Sequence, residues 1–457
     1  MDRTNSVPRD KWRIRFWHIP CALLAIIIGA FVVYRIVGRT TLEDRLDAIR
    51  AAGYPVTPTE LDQWYETPPY GENAADYIVE ALAYLQKPKP EQREQIPWLG
   101  NAEMPARTEH LSTETARIVT QLLEDNEDAV KLLQQGAALE RSRYPIDFTK
   151  GHATLLPHLG DLRGAVQLLC LKAILHGEQG QPESATDALI WAFGVARSQA
   201  AEPLLISQMV RQGAQAITVS ALERVVNQAS LEQEHLVRLR NTLVAAYDPN
   251  AMARAFAGER CMVILMLRDP RSTGLSLAPF FGPDGPGLVP IYAAQALGLT
   301  DRCLIRYIDL TDRCIAALQL PPEERPQAHR DLERQEENLR KDHTILSHFM
   351  PSMRRLILTD LVHLTRLRVA GVAMAVEQHR LSNGKLPEQL ADLVPTFLRE
   401  VPLDPYDGRP LRYRRREKGY VVYSIGKDLA DDDGTERPAR RRGRQEPRYD
   451  ITFIVER

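Results

Sequence analysis

The chain has 457 residues, of which 44% are hydrophobic, and its formal net charge at pH 7 is −2. This length predicts about three domains rather than one core, and the small net charge gives no general reason to expect a nucleic-acid partner. The five cysteines are odd in number and include no C-x-x-C pair, so the sequence indicates neither a disulfide framework nor a zinc site.

An apolar run near the N-terminus predicts a membrane anchor. Residues 1–16 form a basic tail, and the run from Ile19 to Tyr34 follows it, with Trp17 as a further aromatic at its edge. Residues 17–37 approach the length that crosses a bilayer core of about 30 Å. The basic flank lies before the run, which predicts a cytoplasmic N-terminus and an extracytoplasmic bulk, in the inner membrane of the cell.

A cleaved signal peptide is the alternative for this segment. It requires a shorter apolar core and a small-x-small cleavage site. Val33, Tyr34 and Arg35 do not provide such a site. We therefore expect an uncleaved, single-pass signal anchor.

Residues 38–104 are predicted to form a helical stalk and a linker. Leu42, Leu46 and Ile49 recur at helical spacing, and Asn73 is placed to cap a later helix. The motifs of this segment resemble the membrane-proximal part of a large uncharacterised bacterial family of membrane-anchored helical proteins, a resemblance that implies no activity. These motifs are Gly53-Tyr54-Pro55, Glu60-Leu61, Pro68-Pro69 and Glu72-Asn73-Ala74-Ala75.

Residues 105–345 are predicted to form a helical body of irregular helical hairpins. A hairpin over 162–196 carries small residues where its two helices meet, as in one tetratricopeptide-type unit, but no regular repeat period is present. Ser230 and Gln233 predict a capping box at the start of a further helix. The Gly- and Pro-rich loop 269–290 is a candidate lid or partner contact, with a packed surface loop as the alternative.

Residues 346–457 predict a C-terminal α+β domain. A long helix over 352–382 precedes a hairpin that pairs the strand around Tyr413 with the strand 420–423, and alternating apolar residues over 451–455 predict a third strand. A long helix on a small antiparallel sheet buries the apolar face of each. The fold class predicted for the whole chain is mainly α.

The stretch 383–434 resembles the C-terminal domain of the major pseudopilin of type II secretion. The motifs that carry the resemblance are N-G-K-L-P at 383–387, D-P-Y-D-G at 404–408, Y-S-I-G-K-D at 423–428 and D-D-D-G at 431–434. The resemblance covers roughly the last quarter of the chain and implies a pseudopilin-like fold there. Pseudopilins carry their transmembrane helix directly before this domain, whereas here the apolar run lies more than three hundred residues upstream.

Four aspartates form the candidate metal site of the sequence. Their oxygens suit a hard cation such as calcium, but their spacing is not that of an EF-hand. From the residues alone, a solvated loop that binds no metal is therefore an open alternative. The pseudopilin resemblance implies calcium in the matching loop, with Ser424 and nearby carbonyls as further oxygens. The four residues are Asp428, Asp431, Asp432 and Asp433.

No established catalytic motif occurs in the chain, so its enzymatic status stays open. Three functions are consistent with the sequence. The first is a non-enzymatic, membrane-anchored extracytoplasmic scaffold with protein partners. The second is an atypical pseudopilin-like component of type II secretion, and the third is a ligand-binding or enzymatic helical body.

Overall fold

The computed structural model describes residues 18–271, 289–341, 353–437 and 449–457. The predicted basic tail 1–16 and most of the predicted loop 269–290 lie outside the described residues. The described part is mainly helical with one small antiparallel sheet, as the sequence predicts.

The described residues form fourteen α-helices and three strands. In chain order the helices are α1 (His18–Ala51), α2 (Pro58–Trp64), α3 (Ala74–Tyr84), α4 (Thr113–Asp125), α5 (Glu127–Ala138), α6 (His158–Glu178), α7 (Pro182–Arg197), α8 (Leu205–Gln228), α9 (Gln233–Ala245), α10 (Ala251–Arg268), α11 (Val289–Ala296), α12 (Leu299–Gln319), α13 (Arg325–Lys341) and α14 (Met353–Asn383). The strands are β1 (Arg412–Arg415), β2 (Tyr420–Ser424) and β3 (Ile451–Val455).

Helix α6 lies at the centre of the body. It is buried on nearly every side, as its Leu- and Ala-rich sequence requires, and it packs against α7 and α8. A small residue also lies where α7 approaches α5. A Cβ atom on Gly194 of α7 would lie 2.6 Å from the carbonyl oxygen of Ala137, so only glycine permits this approach of α7 to the end of α5.

Two predicted helix starts illustrate what local sequence can and cannot specify. The side chain of Asn73 accepts a hydrogen bond from the backbone N–H of Ala75, as predicted for an N-cap. The capping box predicted at Ser230 and Gln233 is wrong. Leu231 is buried in the body core, and the helix begins two residues later with Glu232 as its N-cap.

The predicted anchor and the helix after it are one continuous helix, α1. The apolar residues of its first half are exposed, whereas Leu42, Leu46 and Ile49 in its second half are buried against α10 and α12. Other residues of the predicted stalk, Leu61 and Ile78 among them, belong to the main buried cluster of the body. The stalk residues therefore contribute to the core.

The C-terminal unit is a long helix packed on a three-stranded antiparallel sheet in the order β1-β2-β3. Tyr413 pairs with Val422, which pairs in turn with Phe453. Helix α14 packs against the sheet and also against α8 and α9. Its apolar residues from Leu367 to Val376 therefore belong to the main buried cluster of the body.

Side chains of the body cover the outer edge of β3. The carboxylate of Glu223 accepts the backbone N–H of Ile454 at 2.6 Å. Asn227 accepts the N–H of Glu456 at 2.7 Å and donates to the carbonyl of Ile454 at 2.9 Å. Because α8 satisfies these edge groups, this side of the sheet is closed to a further strand.

A buried ion pair joins four segments around α14. Asp360 is 1% exposed. It accepts hydrogen bonds from Arg325 and the Tyr247 hydroxyl, each at 3.0 Å, and from the Gln212 side chain at 2.9 Å. These partners come from the start of α13, the segment after α9, and α8 respectively. The position of α14 is therefore fixed by polar contacts as well as by apolar packing.

Substitution Asp360→Ala is expected to lower the free energy of unfolding by about 3–5 kcal/mol, because it leaves the guanidinium of Arg325 buried without its counter-charge. Replacing the whole pair, as Asp360→Leu with Arg325→Met, is expected to recover most of this loss. Urea unfolding followed by circular dichroism measures both. Asp309→Ala, at an exposed ion pair with Arg45, is the control and should change stability by less than about 1 kcal/mol. An equal loss in the single and the double variant would contradict this role of the charge pair.

Candidate functional sites: the N-terminal helix, the acidic loop and a cleft

The first half of α1 is the longest exposed apolar surface of the described residues. Ile26 and Ile27 are 67% and 62% exposed, and the most apolar window of the helix has no buried residue. Within the described ranges, α1 is the one helix long and apolar enough to cross a membrane. It fits a single-pass membrane anchor, and an N-terminal signal sequence has the same properties.

The body holds α1 immediately after this apolar half. Arg35 forms an ion pair with Asp301 at 3.4 Å, and the guanidinium of Arg302 lies over the ring of Tyr34, 4.2 Å from its centroid. About two turns further on, Glu43 forms an ion pair with Arg268 of α10. Contacts with α12 thus begin in the last turn of the exposed apolar surface, and contacts with α10 follow them along α1.

Three of the four predicted metal-binding aspartates have local partners in the fold. Asp431 accepts from the Arg412 guanidinium at 3.0 Å, Asp433 forms an ion pair with Arg414 at 3.3 Å, and Asp428 accepts the N–H of Ala430 at 3.3 Å. Asp432 differs from these three because its Oδ2 atom is buried without a hydrogen-bond partner. Over the ranges that the structure describes, no three His, Cys, Asp or Glu side chains are gathered as a metal cluster.

Asp450 is a site residue that sequence reasoning missed. Its side chain is buried, with Oδ2 accepting the N–H of Gly434 at 2.7 Å and Oδ1 lacking a partner. Burial, together with the nearby carboxylates of Asp431 and Asp432, raises the pKa of Asp450 to about 6, although backbone N–H groups of Gly434 and Asp432 oppose the rise. Its position directly before the alternating residues of β3 is the signal that would have drawn attention to it.

Asp404 holds the turn 404–408 and the end of β2 together and is not free to bind a ligand. It is fully buried and accepts the N–H groups of Tyr406 and Ile425, each at 3.0 Å, together with the Ser424 hydroxyl at 2.8 Å. Arg412 adds a charged donor at 3.1 Å. Ser424, predicted as an extra calcium oxygen, is therefore engaged with Asp404. Burial raises the pKa of Asp404 above its ordinary value.

A cleft of about 500 Å³ opens between the segment before α6 and helices α8, α10 and α14. Most of its lining is apolar, with Glu259 as the one acidic side chain, and burial raises the pKa of that carboxyl group to about 7. The lining consists of Gly151, Thr154, Leu156, Leu204, Leu205, Ile206, Met209, Glu259, Met262, Arg355, Leu356 and Thr359.

His158 belongs to a closed interior network. Its Nε2 atom lies 2.6 Å from Oε1 of the fully buried Glu202, and its ring stacks on Tyr144. The Tyr144 hydroxyl lies in turn 2.7 Å from that of Ser198. These contacts tie the start of α6 to the segment before it and to the segment after α7, in agreement with a structural role for the histidine.

Comparison with protein-family models, with curated proteins and with solved structures gave no match. The pseudopilin resemblance of the C-terminal unit therefore remains a prediction from its sequence motifs.

Substitution Asp450→Asn is expected to stabilise the protein at neutral pH. With a folded-state pKa of about 6 against an ordinary 3.8, the native state binds a proton more tightly than the unfolded chain. The protonated carboxyl stabilises the fold below about pH 4, and this stability is lost as the pH rises to about 6. The variant, which cannot ionise, should be more stable at pH 7 by on the order of 1–3 kcal/mol.

Urea unfolding of both proteins in chelator, across this pH range, measures the difference. Asp433→Asn is the matched control, because that carboxylate is exposed in the same loop, and its effect should stay within about 0.5 kcal/mol. Parallel pH profiles for the wild type and Asp450→Asn would show that burial of this carboxyl does not govern the titration.

Proposed function

We propose that this protein is a membrane-anchored, extracytoplasmic scaffold in which α1 is retained as the anchor and the rest of the chain makes protein contacts. The observation that carries the proposal is the division of α1 into an exposed apolar half and a half buried in the core. Such a helix suits two environments, the hydrocarbon of a bilayer and the interior of the body.

The contacts of α1 favour retention over cleavage. Signal peptides end in a cleavable segment with small residues, whereas α1 is helical without a break from His18 to Ala51. Tyr34 and Arg35 contact the body, and Leu42 and Leu46 further along the helix are each 1% exposed. Removing the helix as far as these residues would open the core.

The attachment of the C-terminal unit supports a scaffold role. Helix α14 shares its apolar residues with α8 and α9, while Glu223 and Asn227 hold the edge of β3. The sheet is thereby presented by a body that is itself held by α1. The extracytoplasmic orientation follows from the basic tail 1–16, and the proposed protein partners would bind the exposed surfaces of this assembly.

Full-length protein is expected to stay with the membrane after carbonate extraction. The variant Ile26→Asp with Ile27→Asp should be released, because each charge at the centre of a span costs about 2.5–3.5 kcal/mol. Ile26→Ala with Ile27→Ala is the control and should remain bound. A reporter enzyme that is active only outside the cytoplasm, fused after Arg457, should be active.

N-terminal sequencing of the protein isolated from membranes distinguishes the anchor from a signal peptide. An intact N-terminal segment supports retention. A mature chain that begins after residue 37 would refute the anchor, and an inactive reporter fusion in membrane-bound protein would refute its orientation.

We propose calcium as a ligand of the acidic loop, held by Asp432 and Asp450 with backbone carbonyls. Two observations support a cation here. Asp432 Oδ2 and Asp450 Oδ1 are buried oxygens without hydrogen-bond partners, and the neighbouring carboxylates raise the pKa of Asp450. Calcium accepts six to eight such oxygens in flexible geometry. Asp428, Asp431 and Asp433 would contribute mainly negative charge, since each is engaged elsewhere.

Calcium is expected to raise the melting temperature of the full-length protein relative to chelator, because a ligand of the native state stabilises it. The Asp450→Asn and Asp432→Asn variants should lose this shift, whereas Asp433→Asn should largely keep it. The full chain is required, since the C-terminal unit shares its core with the body. Superimposable melting curves of the wild type in calcium and in chelator would exclude the site.

The cleft supports a second candidate function, binding of a ligand by the helical body. The observation that supports this candidate is the largely apolar cleft of about 500 Å³, with the carboxyl group of Glu259 in its wall. Such a cleft suits an apolar ligand with one hydrogen-bonding or basic group.

The secretion-component alternative rests on the sequence resemblance. Crosslinked pull-down from intact membranes, with wild-type protein and the anchor variant, separates it from the scaffold by the identity of the partners recovered.

A further inference from the structure

An apolar corner of the body lies beside the end of the apolar half of α1. We call Leu297, Gly298 and Leu299 the apolar corner; Leu297 and Gly298 lie in the turn between α11 and α12, and Leu299 is the first residue of α12. Leu297 is 51% exposed and Leu299 is 45% exposed. Two exposed leucines one residue apart, beside the exposed apolar half of α1, form an apolar patch that suggests a partner.

The depth of the apolar corner follows from its contacts with α1. Arg35 forms an ion pair with Asp301, and a Cβ atom on Gly298 would lie 2.5 Å from Nη1 of Arg35. The left-handed backbone of Gly298, with φ +73°, forms the cap at which α12 begins. The corner therefore lies level with Arg35.

A second ion pair gives the direction in which α12 runs. Arg45, ten residues after Arg35, pairs with Asp309, eight residues after Asp301. Helices α1 and α12 thus run in the same direction, and the N-terminal end of α12 is its end nearest the apolar half of α1. The apolar corner is part of that end.

The length of the apolar run places this level at the membrane surface. From Ile19 to Val37, with Ile36 and Val37 also exposed, the helix rises about 28 Å, at about 1.5 Å per residue, against a hydrocarbon thickness of about 30 Å. Arg35 therefore lies in the last turn of the span, where hydrocarbon gives way to water. Leucines level with Arg35 meet the interfacial layer of the same bilayer.

The charges around the apolar corner agree with this position. Arg302 is exposed and lies over the ring of Tyr34, while Arg35 and Arg39 are on the adjacent turns of α1. Tyrosine and arginine are favoured at membrane interfaces, where the ring meets lipid and the cation meets phosphate. Exposed leucines flanked by arginines are the pattern of segments that insert shallowly.

We propose that the apolar corner inserts Leu297 and Leu299 into the interfacial layer of the bilayer that α1 spans. This inference rests on the proposed anchor and goes beyond it, because it gives the body a second contact with lipid. With two contacts the body is held against the membrane surface rather than free to tilt about α1, and the end of the body distant from the corner faces away from the lipid.

The opposite end of the body supplies a matched reference position. Helix α10 runs towards the membrane, since Arg268 at its end pairs with Glu43 and the Gln295 side chain donates to the carbonyl of Leu267 at 2.6 Å. Its first residue lies roughly 25 Å from Arg268 along the helix axis. Val244 lies in the last turn of α9, seven residues before Ala251, the first residue of α10. Its side chain is 75% exposed.

The test uses the full chain with Cys21→Ser, because Cys21 is the one exposed cysteine and the other four are buried. An environment-sensitive dye is attached to Leu297→Cys, to Leu299→Cys or to the reference Val244→Cys. Each protein is reconstituted into phosphatidylcholine vesicles with brominated acyl chains, and its retention after carbonate extraction is measured in parallel. Circular dichroism confirms that the three labelled proteins have the same helix content.

The dye at 297 and at 299 is expected to lose emission in brominated relative to unbrominated vesicles, and the dye at 244 to keep it. Equal emission at all three positions, in protein that resists carbonate, would overturn the insertion of the corner and leave the anchor intact. Release of the protein by carbonate would overturn the anchor, and this inference with it.

Discussion

The buried carboxylate of Asp360 is the constraint on which the arrangement of the helices depends. A charge in the interior is tolerated only where donors are gathered around it, and burial raises the pKa of Asp360 while Arg325 opposes that rise. Its donors come from three other segments of the chain. A shift of α14 by one turn would leave both charges of the pair buried and unpaired, so the pair selects one packing among the several that apolar residues alone would allow.

Helix α14 can therefore serve two layers at once. One of its faces packs on α8 and α9 of the body and another packs on the sheet. A three-stranded sheet has little core of its own, and here its inward-facing residues are buried in the same cluster as residues of the body. The polar groups at the boundary are also shared, since Glu223 and Asn227 of α8 replace the strand that the edge of β3 lacks.

Helix α1 also belongs to two environments. The apolar side chains of its first half are exposed, and its second half places Leu42, Leu46 and Ile49 in the core. Because the helix is continuous, whatever holds the first half also orients the body. The ion pair between Arg35 and Asp301 marks the position where the two environments meet. The proposed anchor, scaffold and lipid contact all follow from this geometry.

The sequence by itself determined the features that depend on neighbouring residues. The apolar run, the long helix, the strand pairing and the Asn73 cap were predicted because periodicity, turn residues and capping act over a few positions. The capping box at Ser230 was not decided locally, since burial of Leu231 moved the start of α9.

Tertiary structure alone decided which charged groups have partners. Asp428, Asp431, Asp432 and Asp433 lie within six residues of sequence and were predicted as one candidate calcium site. In the fold three of them contact nearby donors, and Asp432 lies beside Asp450. The partners of Asp360 lie between 35 and 148 residues away along the chain. Desolvation and pairing depend on distances through space, which a one-dimensional pattern of residue types does not contain.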